Sequence, residues 1–159
     1  MKNLLTAILL IFALMNFSCS PVKQIEKKIS TIDKQIKNKP FRMSFNFDDQ
    51  LETKMFENEN GITKMNIEVM FHRPFVIGKF QIYFENDISF FIAEKVEGDY
   101  TANSNDKKYH VSEDNKIYIN NWETFDVKVV GSDRSYLDKT GYMKLIDNAL
   151  KDITESEKK

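Results

Sequence analysis

Cysteine occurs once in the 159 residues, at Cys19, glycine five times, proline three times and histidine twice. One cysteine excludes an intrachain disulfide and any zinc cage of paired thiolates. The few glycines include no G-x-S-x-G, no P-loop and no dinucleotide fingerprint. Charge of one sign is missing too: 23 basic and 24 acidic residues leave a net charge of −1. A nucleic-acid binder normally carries a strong basic excess, so that class of partner is not expected. No apolar run approaches the roughly 20 residues of a membrane-spanning helix. The longest is Leu4–Met15, in which Thr6 is the one polar residue.

What is present begins with that run. Lys2, the apolar core and the short polar boundary after it have the form of a secretory leader. Phe17-Ser18-Cys19-Ser20 follows. This segment resembles the lipobox of bacterial lipoproteins: Ser18 takes the small position before the cysteine, whereas Asn16 stands where that family usually has leucine. The resemblance implies that the leader, residues 1–18, is removed and that Cys19 becomes the acylated first residue. Cleavage after Ser20, with Ser18 and Ser20 as the small residues of an ordinary site, is the competing reading. Two or three acyl chains hold a protein durably on a membrane. Ser20, in place of the aspartate that favours inner-membrane retention in enterobacterial lipoproteins, implies the outer membrane; the periplasmic face is the one expected, and nothing in the leader selects it.

Residues 19–40 read as a tether with an amphipathic helix. Val22, Ile25, Ile29, Ile32 and Ile36 recur at spacings of 3, 4, 3 and 4, a narrow stripe like the seam of a coiled coil. Six lysines against Glu26 and Asp33 give this segment a charge of +4. The stripe can pack on the chain's own domain, the lysines can lie on an anionic membrane surface, or the stripe can mediate oligomerisation. Asn38-Lys39-Pro40 ends the helix, because the residue before proline is pushed out of the helical region.

From Phe41 the period changes to two, and residues 41–159 read as one β-rich domain. Phe41, Met43, Phe45 and Phe47 alternate with Arg42, Ser44 and Asn46, which predicts a strand burying its phenylalanines. A short strand is expected around Lys54–Phe56 before the Asn60-Gly61 turn, and a longer one through Met65, Ile67, Val69 and Phe71. His72-Arg73-Pro74 breaks that run. Phe75–Phe84 and Ile88–Val96 form a hairpin about Asn86-Asp87, apolar on both faces. Gly98–Lys108 reads as polar loop, Tyr109–Val111 and Lys116–Ile119 as a hairpin about Glu113-Asp114-Asn115, and Phe125–Val129 as the last strand. Tyr142, Leu145, Ile146, Ala149, Leu150 and Ile153 make a helical stripe; Ser135 with Asp138 three residues on reads as a weak capping box at its start, and Gly141 argues for a start a few residues later. The expected fold is α+β: an antiparallel meander of about seven strands covered by a C-terminal helix, with the N-terminal amphipathic helix beside it. Both helices are expected on one face.

Reaction chemistry is sparse. His72 and His110 are 38 residues apart and lack metal-ligand spacing. Asp48-Asp49 would point opposite ways on an extended segment, so they read as a solvated turn and not as an acid–base pair. Asn103, Asn105 and Asp106 lack the glycine and the final glutamate of a calcium loop. No catalytic residue, metal or cofactor is expected. The aromatic hairpin can be core, or can line a cavity for an acyl chain. Tyr118, Trp122 and Phe125, beside Asn120-Asn121, form an aromatic interaction candidate, with simple burial of Trp122 as the bland alternative. The function expected is that of a membrane-anchored envelope lipoprotein acting by protein binding, as an accessory or scaffold subunit or an immunity-type inhibitor. The alternative is a carrier of an apolar ligand or lipid, and an enzyme comes third.

Overall fold

The computed structural model describes residues 21–46, 51–72, 75–102, 107–132 and 134–158. The leader, Cys19, Asp48-Asp49 and the Asn103–Asp106 segment lie outside the described residues. A helix α1 (Pro21–Ile36) is followed by seven strands, β1 (Arg42–Asn46), β2 (Leu51–Asn58), β3 (Gly61–His72), β4 (Phe75–Glu85), β5 (Ile88–Ala102), β6 (Lys107–Asn121) and β7 (Asp126–Val130), and by a helix α2 (Lys139–Ser156). The strands form one antiparallel sheet in sequence order, β1 through β7. The α+β expectation holds, and so does the meander.

Turn chemistry fixes the hairpins. Asn86 and Asp87 both take positive φ, 51° and 61°, the conformation of a two-residue turn that suits the strand twist. The Asp87 carboxylate also accepts the Ile62 N–H at 3.1 Å, joining this turn to the neighbouring β2–β3 turn. Gly61 follows that turn with φ 108°.

The two sheet faces carry separate cores. On one face Met65, Ile67, Val76, Phe80, Ile82, Ile92, Val96 and Ile117 pack under Tyr142, Leu145, Ala149 and Ile153 of α2. On the other, Tyr83, Phe91 and Tyr118 are buried with Ile32, and Val22, Ile25, Ile29 and Ile36 pack around them. The two helices therefore lie on opposite faces, not on one. The doubly apolar β4–β5 hairpin is the reason: Phe80 and Ile82 need a cover on one side, Tyr83 and Phe91 on the other. The α1 stripe is engaged within the chain, so a coiled coil through it would require the helix to leave the sheet.

Three further expectations are corrected. The segment around Lys54 is a strand of eight residues, β2, and not a short one. Gly98–Ala102 and Lys107-Lys108 of the expected polar loop, and the hairpin about Asp114, are parts of two strands of 15 residues each, paired from Phe91↔Tyr118 to Ala102↔Lys107. Glu113 and Asn115 resemble turn residues but project from an unbroken strand and bind the segment after β7. In β1 the expected faces are inverted: Phe41, Met43 and Phe45 are 49, 52 and 48 % exposed, and Ser44 is buried. The register with β2, Arg42↔Met55, Ser44↔Thr53 and Asn46↔Leu51, places the polar residues beneath α2. There Arg42 pairs with Glu57 and Glu157, and Asn46 donates to Asp152 at 3.2 Å. Polar partners on α2 and β2 set the facing of this strand against its hydrophobic pattern.

Candidate functional site

Where α1 crosses the sheet it leaves an open groove of about 560 Å³, within the range of small-molecule pockets. Its floor is Ile29, Tyr83, Phe91, Ala93 and Tyr118, and Lys34, Lys37 and Lys116 stand around it. Beside the groove the Lys64 side chain, only 7 % exposed, makes an ion pair with Asp33 at 2.8 Å. Its Nζ also donates to the Tyr83 hydroxyl at 2.7 Å, and that hydroxyl donates in turn to Asp33 at 3.0 Å. Burial, and then the negative Asp33, push the Tyr83 phenol far above its usual range, so it stays protonated. The trio fastens α1 to β3 and β4. Its proton inventory is that of a tie, with no free base beside a nucleophile. Lys64 reads in sequence as one polar residue on the outer face of β3, and only the arrival of α1 buries it.

Tyr118 is 3 % exposed under α1, where its hydroxyl donates to Glu26 at 3.1 Å. Burial, followed by that carboxylate, raises its pKa. Trp122 and Phe125 belong to the opposite core. Their rings meet edge to face at 5.9 Å, and Phe125 lies 6.0 Å from the ring of Tyr142. The structure thus brings Trp122 and Phe125 together and places Tyr118 on the other face of the sheet.

A second polar cluster sits beneath the start of α2. Glu94, 1 % exposed, accepts from Asn115 Nδ2 at 2.7 Å, from the Tyr136 N–H at 2.7 Å and from the Tyr142 hydroxyl. Asn115 also accepts the Ser132 N–H at 2.6 Å and donates to the Arg134 carbonyl at 3.1 Å. Burial raises the Tyr142 phenol strongly, and Glu94 adds to that. Gly131 makes the sharp exit from β7 with φ 134°, and a Cβ there would stand 2.1 Å from the Asp114 carbonyl. Every member of the cluster is engaged in holding the β7–α2 connection.

The histidines do not meet. His72↔Phe75, Phe75↔Asp99 and Asp99↔His110 form one cross-strand row. Three strand spacings therefore separate the histidine backbones, roughly 14 Å. His110 Nδ1 lies 2.8 Å from Asp99 at an exposed site. Among the described residues no group of three histidine, cysteine or carboxylate side chains could hold a metal ion. No described helix is long and apolar enough to cross a membrane.

The remaining surface feature is the β1 edge. Among the described residues β1 pairs with β2 alone and is an edge strand of the sheet. Phe41, Met43 and Phe45 project from the side on which α1 lies, and Phe41 leans on Phe56 with ring centroids 5.6 Å apart. An open strand edge flanked by large apolar side chains is a template for another chain. Compared with protein families, curated proteins and solved structures, the chain shows no significant match.

Proposed function

We propose that this protein is a lipoprotein of the bacterial envelope that acts by binding another polypeptide along β1. The observation that carries this reading is the apolar β1 edge: Met43 and Phe45 on the strand and Phe41 just before it are each about half exposed, and β1 has no second strand neighbour among the described residues. The carrier reading has less support. Both faces of the aromatic β4–β5 hairpin are filled by packed side chains, and the 560 Å³ groove is open with lysines around it. Scaffold subunit and immunity-type inhibitor remain variants of the same binding function.

The test is made in the native envelope. Fatty-acid labelling should be lost in Cys19→Ser, and cross-linking should join the tethered chain to a polypeptide in a manner abolished by Met43→Lys. Capture that is indifferent to Met43→Lys would remove β1 as the docking strand. Labelling that persists in Cys19→Ser would remove the anchor.

A further inference from the structure

We infer that the outer side of α1 is a docking face for an anionic lipid surface, so that the protein lies with this helix flat on the membrane and α2 turned away from it. The inference rests on the reading of Cys19 as a lipid anchor and adds the orientation of the anchored chain. Charge on α1 is sorted by side. Its two carboxylates are bonded to the sheet, Glu26 to the Tyr118 hydroxyl and Asp33 to Lys64 and Tyr83. Lys28 pairs with Glu85. Lys23, Lys27 and Lys34 are exposed, and none has a carboxylate partner among the described residues. At about 3.6 residues per turn these three fall within about 40° of one another, opposite the stripe that packs on the sheet. The packing that buries the stripe therefore presents a row of cations with no acid in it.

The position of the anchor selects lipid as the occupant. Cys19 stands two residues before Pro21, where α1 begins, and two residues of chain reach at most about 7 Å. Acyl chains on Cys19 would hold the first turn of α1, with Lys23, at the headgroups. An upright helix brings only that turn to the surface. A flat one brings Lys27 as well, and Lys34 about 16 Å beyond Lys23. Each lysine near an anionic surface raises the docked population about fivefold, so the flat pose is favoured. The bonds from Glu26 to Tyr118 and from Asp33 to Lys64 fix α1 to the sheet, and the whole domain turns with the helix. α2, on the opposite face, then points away from the membrane, and β1, at the sheet edge, lies to the side. The anchor keeps lipid permanently beside the lysine row, whereas an acidic polypeptide would have to be recruited to it.

The test uses the full-length, acylated chain in vesicles of phosphatidylcholine with or without phosphatidylglycerol. Cys19 is the one cysteine, so once it is acylated a thiol placed elsewhere takes a fluorescent probe selectively. Ser30→Cys lies on α1 beside the lysine row, and Asn148→Cys is exposed on α2. With phosphatidylglycerol present, a quencher carried on lipid headgroups should act on the Ser30→Cys probe at least about threefold more than on the Asn148→Cys probe. Phosphatidylcholine alone, or Lys23→Gln, Lys27→Gln and Lys34→Gln combined, should erase that difference. The triple variant should still sediment with the vesicles through its acyl chains and keep its circular dichroism, since all three side chains are exposed.

Equal quenching of the two probes, or a difference indifferent to phosphatidylglycerol and to the triple variant, overturns the docking face; a chain that then still carries fatty acid and sediments leaves the anchor standing. A chain without fatty acid that sediments with phosphatidylglycerol vesicles, and is released by the triple variant, removes the anchor and keeps the lysine face. No fatty acid and no sedimentation overturns both. A Ser30→Cys probe shielded in native envelopes but not in phosphatidylglycerol vesicles assigns the row to an acidic polypeptide and overturns the lipid surface.

Discussion

At the residue scale, the polar side chains within the two cores do more to specify this fold than their number suggests. Asn115 satisfies a backbone donor at Ser132, a backbone acceptor at Arg134 and the buried Glu94 at once. Leaving a buried polar group unpaired costs about 1–3 kcal/mol. Asn115→Ala is therefore expected to lower stability by about 2–3 kcal/mol in chemical denaturation, and a loss below about 0.5 kcal/mol would show that the clamp is not needed. Tyr83 and Tyr142 have phenols raised above their unfolded value of about 10. The unfolded chain releases these protons first, so their contribution is complete below about pH 9 and is lost as pH rises above about 10. Stability should fall with alkaline pH in that window, and Tyr142→Phe should make the fall shallower. A slope unchanged by Tyr83→Phe and Tyr142→Phe would place the alkaline sensitivity elsewhere.

At the element scale, α1 is held by its isoleucine stripe and by a charged tie. Asp33→Asn would strand the Lys64 ammonium in a site 7 % exposed, whereas removing both charges leaves no orphan. Breaking a buried pair by deleting one partner costs about 3–5 kcal/mol, reduced here to about 1–2 because Asp33 is 43 % exposed. Denaturation midpoints should rank wild type above Asp33→Asn, with Lys64→Met added to Asp33→Asn recovering part of the loss. Failure of the double variant to recover would mean that Lys64 is solvated by other means.

The elements also mark how far the sequence could be read. The α1 stripe, the Asn86-Asp87 turn and the alternation of β3 were legible because one local signal dominates each. The start of α2 was legible only in part, since Ser135 reads as the cap, whereas Asp138 accepts the Gly141 N–H at 2.7 Å as the cap and Ser135 donates to the Leu137 carbonyl. The length of β5 and β6 was not legible, since Asp114 and Asn115 carry turn chemistry that tertiary bonds override. Nor was the facing of β1, where the hydrophobic pattern and the register with β2 disagree and the register prevails. Of the aromatic candidates, Tyr118 and the Trp122–Phe125 pair separate because β6 alternates faces and then turns, a geometry that proximity in sequence conceals. The β1 surface was missed for the same reason, as its pattern predicts burial.

At the scale of the whole molecule, one sheet serves two cores with little in common. The α1 cluster centres on Tyr83, Phe91 and Tyr118, and the α2 cluster contains the sole tryptophan, Trp122, at its margin. Damage to one side should therefore leave the other standing. Ile32→Asp, on the buried face of α1, is expected to release the helix and make residues 21–40 sensitive to protease. Trp122 emission should stay native-like. Simultaneous loss of both signals would mean that the two faces fold as one unit.

The path of α1 has a mechanical consequence. Its 16 residues extend about 24 Å at about 1.5 Å per residue, lying across the strands from Tyr118 on β6, met by Glu26, to Lys64 on β3, met by Asp33. A force applied through the N-terminus reaches this helix before it reaches any strand. The load would peel α1 turn by turn, from the Glu26 end towards the Asp33 tie, while the hydrogen-bond ladder of the sheet stays slack. The chain is thus built with a compliant element in series ahead of a stiff one, so tension is absorbed before the sheet and its β1 edge feel it.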